Sequence, residues 1–395
     1  MNICMFAKGL PVHITGGMEL HVKMLVDGLI KRGHEVAIIT TKHPGGIKIE
    51  EHEMLNIYYV GNKPLTYTKK FYKDSAKLFE QLDYIMNFDV VHSQSGSGFG
   101  FTKFSQRKIP FVTTLHGTAK NEIKSSLNTK TIRGSLRALH LFVNDGIHSK
   151  IANEILTKSD KIISVSNELN EDVQKQYNIP SGNLVTIPNG IDIDRFKLIS
   201  AEDLKEKLNI KTETVILSVG RIDEQKGFQL LIKALPKILD KFDVKLVIVG
   251  TGPYLRSLKS MAEKRGLQDR VVFAGRVSDE DLPKYYNLAD VFAFPTLRLE
   301  GLPYVIPEAM SCGRPVISSR IGGIPTAIES GRDGILIEPG NLEELTKNIL
   351  YLLGDEEFAK ELGMKAREKV VREFSLDKMV EDTIKVYEDV INNSV

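Results

Sequence analysis

The chain has 395 residues, 42% of them hydrophobic, so it is not disordered by composition and is long enough for two or three domains. Its 53 basic and 51 acidic residues leave a net charge of +2, which excludes nucleic-acid binding through bulk positive charge. Two distant cysteines, Cys4 and Cys312, exclude a disulfide scaffold and a cysteine-based zinc site.

Short β-branched runs alternate with stretches of helical period along the whole chain, the pattern of wound parallel sheets. Strands are predicted at 2–7, 35–41, 89–92, 111–115, 161–166 and 184–188, then at 214–220, 244–250, 271–274, 290–294, 315–319 and 335–337. Each half reads as a doubly wound α/β unit. The break falls at Pro188-Asn189-Gly190, where a strand ends in turn-forming residues. Up to Pro188 there are 23 basic and 17 acidic residues, and after it 30 and 34; all nine histidines lie before the break. The sequence is therefore divided into a first domain, 1–188, and a second, 189–374. Apolar residues at helical spacing from Leu376 to Val390 predict a last helix, 375–395, that needs a surface to pack on. The first apolar run is too short for a signal sequence and no run of 18 apolar residues occurs, so the expected compartment is the reducing cytoplasm.

Missing motifs narrow the chemistry. Gly250-Thr251-Gly252-Pro253 lacks the lysine of a P-loop and, with Leu255 at the third glycine position, the dinucleotide fingerprint. HExxH, GxSxG and DxDxDG are also absent. Gly16-Gly17 at a helix start would let backbone N–H groups approach an anion, or simply make a tight turn. Gly220-Arg221 and Lys226-Gly227 follow the strand TVILSVG, which places two cations where wound sheets bind ligands; they suit a diphosphate or are solvated surface charges. Glu300 precedes a short predicted helix and Glu308 lies in its first turns, so both face one strand-end crevice. A carboxylate pair also fits a glycosidase, a reading that leaves Arg221 and Lys226 unexplained.

The segment Asp290–Ile317 resembles the glutamate-x7-glutamate signature of the retaining glycosyltransferases called group 1 or family 4, which have the GT-B architecture of two Rossmann-like domains facing across a cleft. The resemblance spans most of the chain: Gly16-Gly17-Met18-Glu19, Leu115-His116-Gly117, Val165-Ser166, Pro188-Asn189-Gly190-Ile191-Asp192, Gly220-Arg221, Lys226-Gly227, Gly250 and Gly252, Gly275-Arg276-Val277, Glu300 to Glu308, and Gly322-Gly323-Ile324-Pro325. It implies transfer of a hexosyl group from a nucleotide-diphosphate sugar, of UDP or GDP type, to a saccharide, lipid-linked or small-molecule hydroxyl, without metal or other cofactor and with retention of configuration. Arg221 and Lys226, after Gly220, would hold the diphosphate and Glu308 the ribose. Glu300 would bind the sugar, helped by the backbone of Gly301, Leu302, Pro303 and Tyr304, while Gly275, Arg276 and Val277 would read the base. Gly16 and Gly17 would close over the phosphates, and His116 would reach the transferred sugar.

The chain departs from the family pattern where many relatives have Gly-Phe-Gly: here Gly301-Leu302-Pro303 lacks the ring, and Pro303 has no N–H to donate. A GT-B phosphorylase or a non-catalytic nucleotide-sugar sensor remains the alternative. Two further residues carry minor expectations, His92 as a structural or acceptor-lining group and Cys312 as packing at a helix end. Residues 118–150 carry Lys120, Lys124, Lys130, Arg133, Arg137 and Lys150 against Glu122 and Asp145, with Leu136, Leu139, Leu141, Phe142 and Val143 nearby. Such a stretch is a solvated acceptor loop or a peripheral contact with an anionic membrane.

Overall fold

The computed structural model describes residues 1–14, 16–129, 131–211 and 213–394, and only the backbone at Ile132, Arg133, His140, Val143, Asn144, Asp145, Ile147 and His148. Lys130, counted above among the basic residues, lies outside the described residues, and the Arg133, Val143 and Asp145 side chains do too. The chain forms two compact units: the first comprises Met1–Ala119, Phe142–Gly190 and Leu376–Val395, the second Lys120–Leu141 and Ile191–Ser375.

The first unit holds eight strands: β1 (Asn2–Phe6), β2 (Glu35–Thr41), β3 (Ile49–His52), β4 (Leu55–Val60), β5 (Val90–Gln94), β6 (Phe111–Leu115), β7 (Lys161–Ser164) and β8 (Leu184–Thr186). Their order is β3-β4-β2-β1-β5-β6-β7-β8, parallel except where β3 pairs antiparallel with β4. That edge hairpin departs from the expected all-parallel sheet and from the predicted strand set. Successive β1 side chains serve opposite layers, as the period of two requires. Ile3 and Met5 pack with Val22, Leu25 and Leu29 of the helix Gly17–Ile30, whereas Cys4 and Phe6 pack with Phe79, Leu82 and Phe101. The last helix, Leu376–Asn392, buries Met379, Val380, Tyr387 and Val390 in the first of these layers. Gly28 admits it closely, since a Cβ there would collide with Val380 Cγ2.

The second unit holds six parallel strands, β9 (Thr214–Val219), β10 (Val244–Val249), β11 (Val271–Gly275), β12 (Val291–Phe294), β13 (Val316–Ser319) and β14 (Ile335–Ile337). Their order, β11-β10-β9-β12-β13-β14, reverses between β9 and β12, which opens a crevice at the carboxyl ends of those strands. Ile216, Leu246, Ile248 and Ala293 pack with Leu231, Leu235 and Ile238 of the helix Phe228–Leu239.

The segment Lys120–Leu141 clusters with the second unit although the sequence division placed it in the first. Its bonds give the reason. Ser125 Oγ accepts from Leu299 N–H at 2.9 Å, and Gln225 Nε2 donates to Ser126 Oγ at 3.2 Å. Asn128 Nδ2 donates to the Leu297 carbonyl at 3.0 Å, and Arg298 pairs with Glu122 at 3.2 Å.

Candidate active site

In the second unit the strand-end loops are laced backbone to backbone. Gly220 N–H donates to the Val249 carbonyl at 3.0 Å and Gly250 N–H to that of Gly275 at 2.7 Å. The approach is so close that a Cβ on Gly250, whose φ is +133°, would overlap Gly220 O. No side chain other than hydrogen fits there.

From this floor rises the loop holding both predicted cations, and they are not equivalent. Arg221 is 62% exposed and pairs with Asp223 at 3.1 Å. Asp223 also caps the turn Glu224–Lys226 by accepting from Gln225 N–H. Burial opposes its charge, but the Gln225 N–H and the Arg221 guanidinium prevail and hold its carboxyl below the usual range. Lys226 is mostly buried, lies 5.2 Å from the Phe294 ring centroid and is ion-paired with Glu300. The structure thus brings Lys226 and Glu300 together from the ends of β9 and β12. Glu300 is held in turn by its own backbone, since its carbonyl accepts from Gly323 N–H at 2.8 Å and a Cβ on Gly322 would strike it.

Glu308 has a different environment. It is 5% exposed, and Tyr286 Oη donates to its Oε2 at 2.5 Å. Burial pushes its carboxyl up to about 7, opposed by the Tyr286 bond and the Arg195 guanidinium. The two glutamates therefore have separate partners and opposite electrostatics, one beside a cation and the other desolvated. Gly301, Leu302, Pro303 and Tyr304 are buried where they lead into the helix Val305–Ser311, and Tyr304 Oη has no hydrogen-bond partner among the described residues. Gly275, with φ of +72°, turns the chain from β11 into Arg276 and Val277. Cys312 is buried at the end of its helix, and burial pushes its thiol up to about 12.

In the first unit Gly16 precedes the helix that begins at Gly17. The Glu19 carboxylate lies beside that turn, 2.5 Å from where a Gly16 Cβ would stand, and burial raises its carboxyl. His116, just past β6, meets His21 edge-on at 4.7 Å between ring centroids. Its Nε2 bonds Gln94 Oε1 at 2.8 Å. Burial, then the neighbouring His21 and His92, hold its imidazole well below the usual value. His92 is fully buried with both ring nitrogens bonded, so its role is structural and the acceptor-lining alternative falls.

Sequence reasoning missed Tyr286, Asp223, Gln94 and His21. Asp223 carried a signal, an N-cap residue before Glu-Gln-Lys-Gly; the other three act through contacts far apart in sequence, which leave no local pattern. Among the described residues no group of three or more His, Cys, Asp or Glu could hold a metal ion.

Two doubly wound units, the second with a laced strand-end crevice carrying a lysine, a paired glutamate and a desolvated glutamate, define a GT-B fold. Comparison with known proteins gives the family. Residues 15–195 match the model of Glycosyltransferase Family 4 and residues 200–369 that of Glycosyl transferases group 1. An uncharacterized glycosyltransferase of Methanocaldococcus jannaschii is 30% identical over 407 residues, covering 98% of each chain. Among solved structures, sucrose-phosphate synthase from Thermosynechococcus elongatus matches with a TM-score of 0.84 and 24% identity over 99% of each chain. Anabaena HepE in complex with UDP-glucose matches with a TM-score of 0.77 and 20% identity, over 98% of this chain and all of that one. The chain belongs to the glycosyltransferases that these two family models describe, and transfers a sugar from a nucleotide-sugar donor to an acceptor.

Proposed function

We propose that this enzyme is a retaining, metal-independent hexosyltransferase using a UDP or GDP sugar, and that the second unit binds the donor. The observation that carries this reading is the Lys226–Glu300 pair at the carboxyl ends of β9 and β12, a cation for the diphosphate beside a carboxylate for sugar hydroxyls. Arg221, exposed beside Asp223, joins Lys226 on the diphosphate as charge grows there. Glu308 accepts from the ribose, Gly275 to Val277 read the base through main-chain groups, and the backbone from Gly301 to Tyr304 lines the sugar. Gly16 and Gly17 close over the phosphates, and His116 reaches the sugar.

In the reaction, the bond from the anomeric carbon to the diphosphate oxygen breaks. The bond to the acceptor oxygen forms on the same face, and the acceptor proton passes to the departing phosphate oxygen. Glu300 is engaged by Lys226 and Glu308 by Tyr286, so neither is free to act as the nucleophile of a double displacement. UDP-glucose in the HepE complex favours a UDP sugar for the first trial.

The test is a thermal-shift series with UDP, GDP and ADP and their hexose conjugates, without added metal, followed by proton NMR of the product's anomeric centre. A shift of the midpoint for one nucleotide family, corresponding to about 3 kcal/mol at a hundredfold excess over Kd, is expected, with the donor's configuration kept in the product. A flat response to every nucleotide sinks the reading, and binding without turnover on any acceptor would make the protein a sensor.

The acceptor reading has one observation of its own. On the helix Ile132–Lys158, Leu136, Leu139 and Phe142 recur at helical spacing and are 60% or more exposed. With Lys120, Lys124 and Arg137 nearby in sequence, this face suits an anionic membrane surface at the cytoplasmic side carrying a lipid-linked acceptor. No helix among the described residues is long and apolar enough to cross a membrane. Co-sedimentation with anionic but not neutral vesicles at low salt is expected, and no binding to either removes the membrane contact.

A further inference from the structure

The first unit contains a cluster of buried polar side chains of which the proposed donor site uses only His116. Gln94, the last residue of β5, is fully buried between two histidines. Its Nε2 lies 3.9 Å from Met5 Sδ and 3.5 Å from His92 Nε2, while its Oε1 bonds His116 Nε2 at 2.8 Å. The amide nitrogen carries only hydrogens, so the nitrogen of His92 facing it presents a lone pair. His92 then carries its single proton on Nδ1 and donates it to Tyr387 Oη at 2.6 Å, with Thr114 Oγ1 donating to Nε2 at 2.7 Å. The carbonyl end of Gln94 can only accept, so His116 carries its proton on Nε2. Every bond in this ladder runs one way, and its last atom, His116 Nδ1, is a lone pair without a partner among the described residues.

We infer that Gln94 is a positioning residue whose carboxamide fixes the Nε2–H tautomer of His116 and thereby presents Nδ1 as a hydrogen-bond acceptor to a hydroxyl of the donor sugar. The inference rests on the placement of His116 at the sugar proposed above. A second observation points to the same class of ligand. His21, in edge contact with His116, donates from Nδ1 to Asn189 Oδ1 at 3.1 Å, and its buried Nε2 is a second acceptor with no partner among the described residues. Two neighbouring acceptor nitrogens suit a ligand rich in hydroxyl donors and disfavour an anion. A neutral imidazole also keeps positive charge away from a carbon that becomes cationic as its leaving group departs. Among the described residues the titratable groups facing His116 are His21 and His92, and both resist protonation because of their burial.

The experiment is nitrogen NMR of histidine-labelled full-length protein, read beside steady-state kinetics, for the wild type, Gln94→Leu and Gln94→Glu. The His116 signals are assigned by their loss in His116→Ala. Wild-type His116 is expected to show a bare Nδ1 and a protonated Nε2 across pH 5 to 8. Gln94→Leu removes the acceptor, so the tautomers should mix and kcat should fall about ten- to hundredfold, with the affinity for the free nucleotide unchanged. Gln94→Glu still accepts from Nε2–H but draws a second proton onto Nδ1. It should keep activity at high pH and lose it as pH falls through the raised imidazole pKa, a limb absent from the wild type.

A protonated Nδ1 in the wild type overturns the inference, as does an unchanged His116 spectrum in Gln94→Leu. If Gln94→Leu does not fold, the wild-type spectrum and the Gln94→Glu pH profile decide. If the tautomers behave as stated but His116→Ala transfers sugar at the wild-type rate, it is the placement of the sugar at His116 that fails, and the ladder stands without it.

Discussion

Two clusters, one in each unit, bury ionisable groups by opposite means. The first collects neutral imidazoles, His21 and His92, bonded to an amide and two hydroxyls, so neither needs a counter-charge. The second keeps charge beside charge at Lys226 and Glu300 and leaves one carboxyl, Glu308, desolvated. Polar groups that satisfy one another without charge need only hydrogen-bond geometry, whereas charged groups at a crevice stay available to a charged ligand. The difference is measurable because His21 and His92 respond to pH in the opposite sense to Glu308.

The largest effect is expected in the first unit. Burial lowers the His21 imidazole from 6.5 to about 4 and the His92 imidazole to about 3. A depressed histidine contributes stability that is complete above the unfolded value of 6.5 and is lost as pH falls through the folded value. The first unit should therefore lose several kcal/mol between about pH 6.5 and pH 3, since an imidazole depressed tenfold in proton affinity contributes on the order of 1.4 kcal/mol. Hydrogen exchange resolved by peptide should show β5 and the last helix opening first in acid. If His92→Asn leaves this acid sensitivity unchanged, the contrast between the units is broken on this side.

Glu308 should act the other way. Its folded value of about 7 lies above the ordinary 4.5, so its contribution is complete below about pH 4.5 and lost as pH rises through about 7. The size is about 3 kcal/mol at most. Glu308→Gln should flatten this limb, with unfolding midpoints of variant and wild type converging near pH 5 and separating near pH 8. A parallel pH dependence for the two proteins would show that the carboxyl is not desolvated as described.

Charge at the crevice sharpens the comparison in rate. Lys226→Ala removes a buried cation and leaves Glu300 without its partner, so transfer should fall on the order of a hundredfold, about 3 kcal/mol of transition-state stabilisation. Arg221→Ala, at an exposed residue, should lower kcat less and leave the unfolding midpoint unchanged. Equal losses from both variants, measured as kcat/KM for the donor, would mean that the exposed and buried cations share the diphosphate evenly.

How far these features could be read from the sequence depends on whether their causes are local. The alternation of β-branched runs and helical stretches made the two wound sheets legible, because strands buried on both faces carry little else. The β3–β4 hairpin escaped because Ile49-Glu50-Glu51-His52 is mostly exposed and charged, as edge strands are, and has no apolar period to detect. Lys226, Glu300 and Glu308 were legible through residue type and placement at strand ends. Their differing environments were not, since the Tyr286 hydroxyl reaches Glu308 across 22 residues and no spacing rule predicts such a bond. Gln94 left no trace for the same reason.

The smallest expected effect tests the segment whose unit the sequence misassigned. Ser125 accepts from Leu299 N–H, one residue before Glu300, and donates to the Asn121 carbonyl at 2.5 Å within its own helix. The second bond is local and survives in any environment, but the first ties the helix Ala119–Asn128 to the backbone that carries Glu300. Ser125→Ala leaves a backbone N–H without its acceptor, at a cost of about 1 kcal/mol. Because Leu299 adjoins Glu300, that cost should appear in the KM for the donor, raised a few-fold at unchanged kcat, more than in the unfolding midpoint. A change in midpoint without a change in KM would make the helix a brace for the fold alone. The expected split instead makes it the element that holds the backbone beside Glu300 in place.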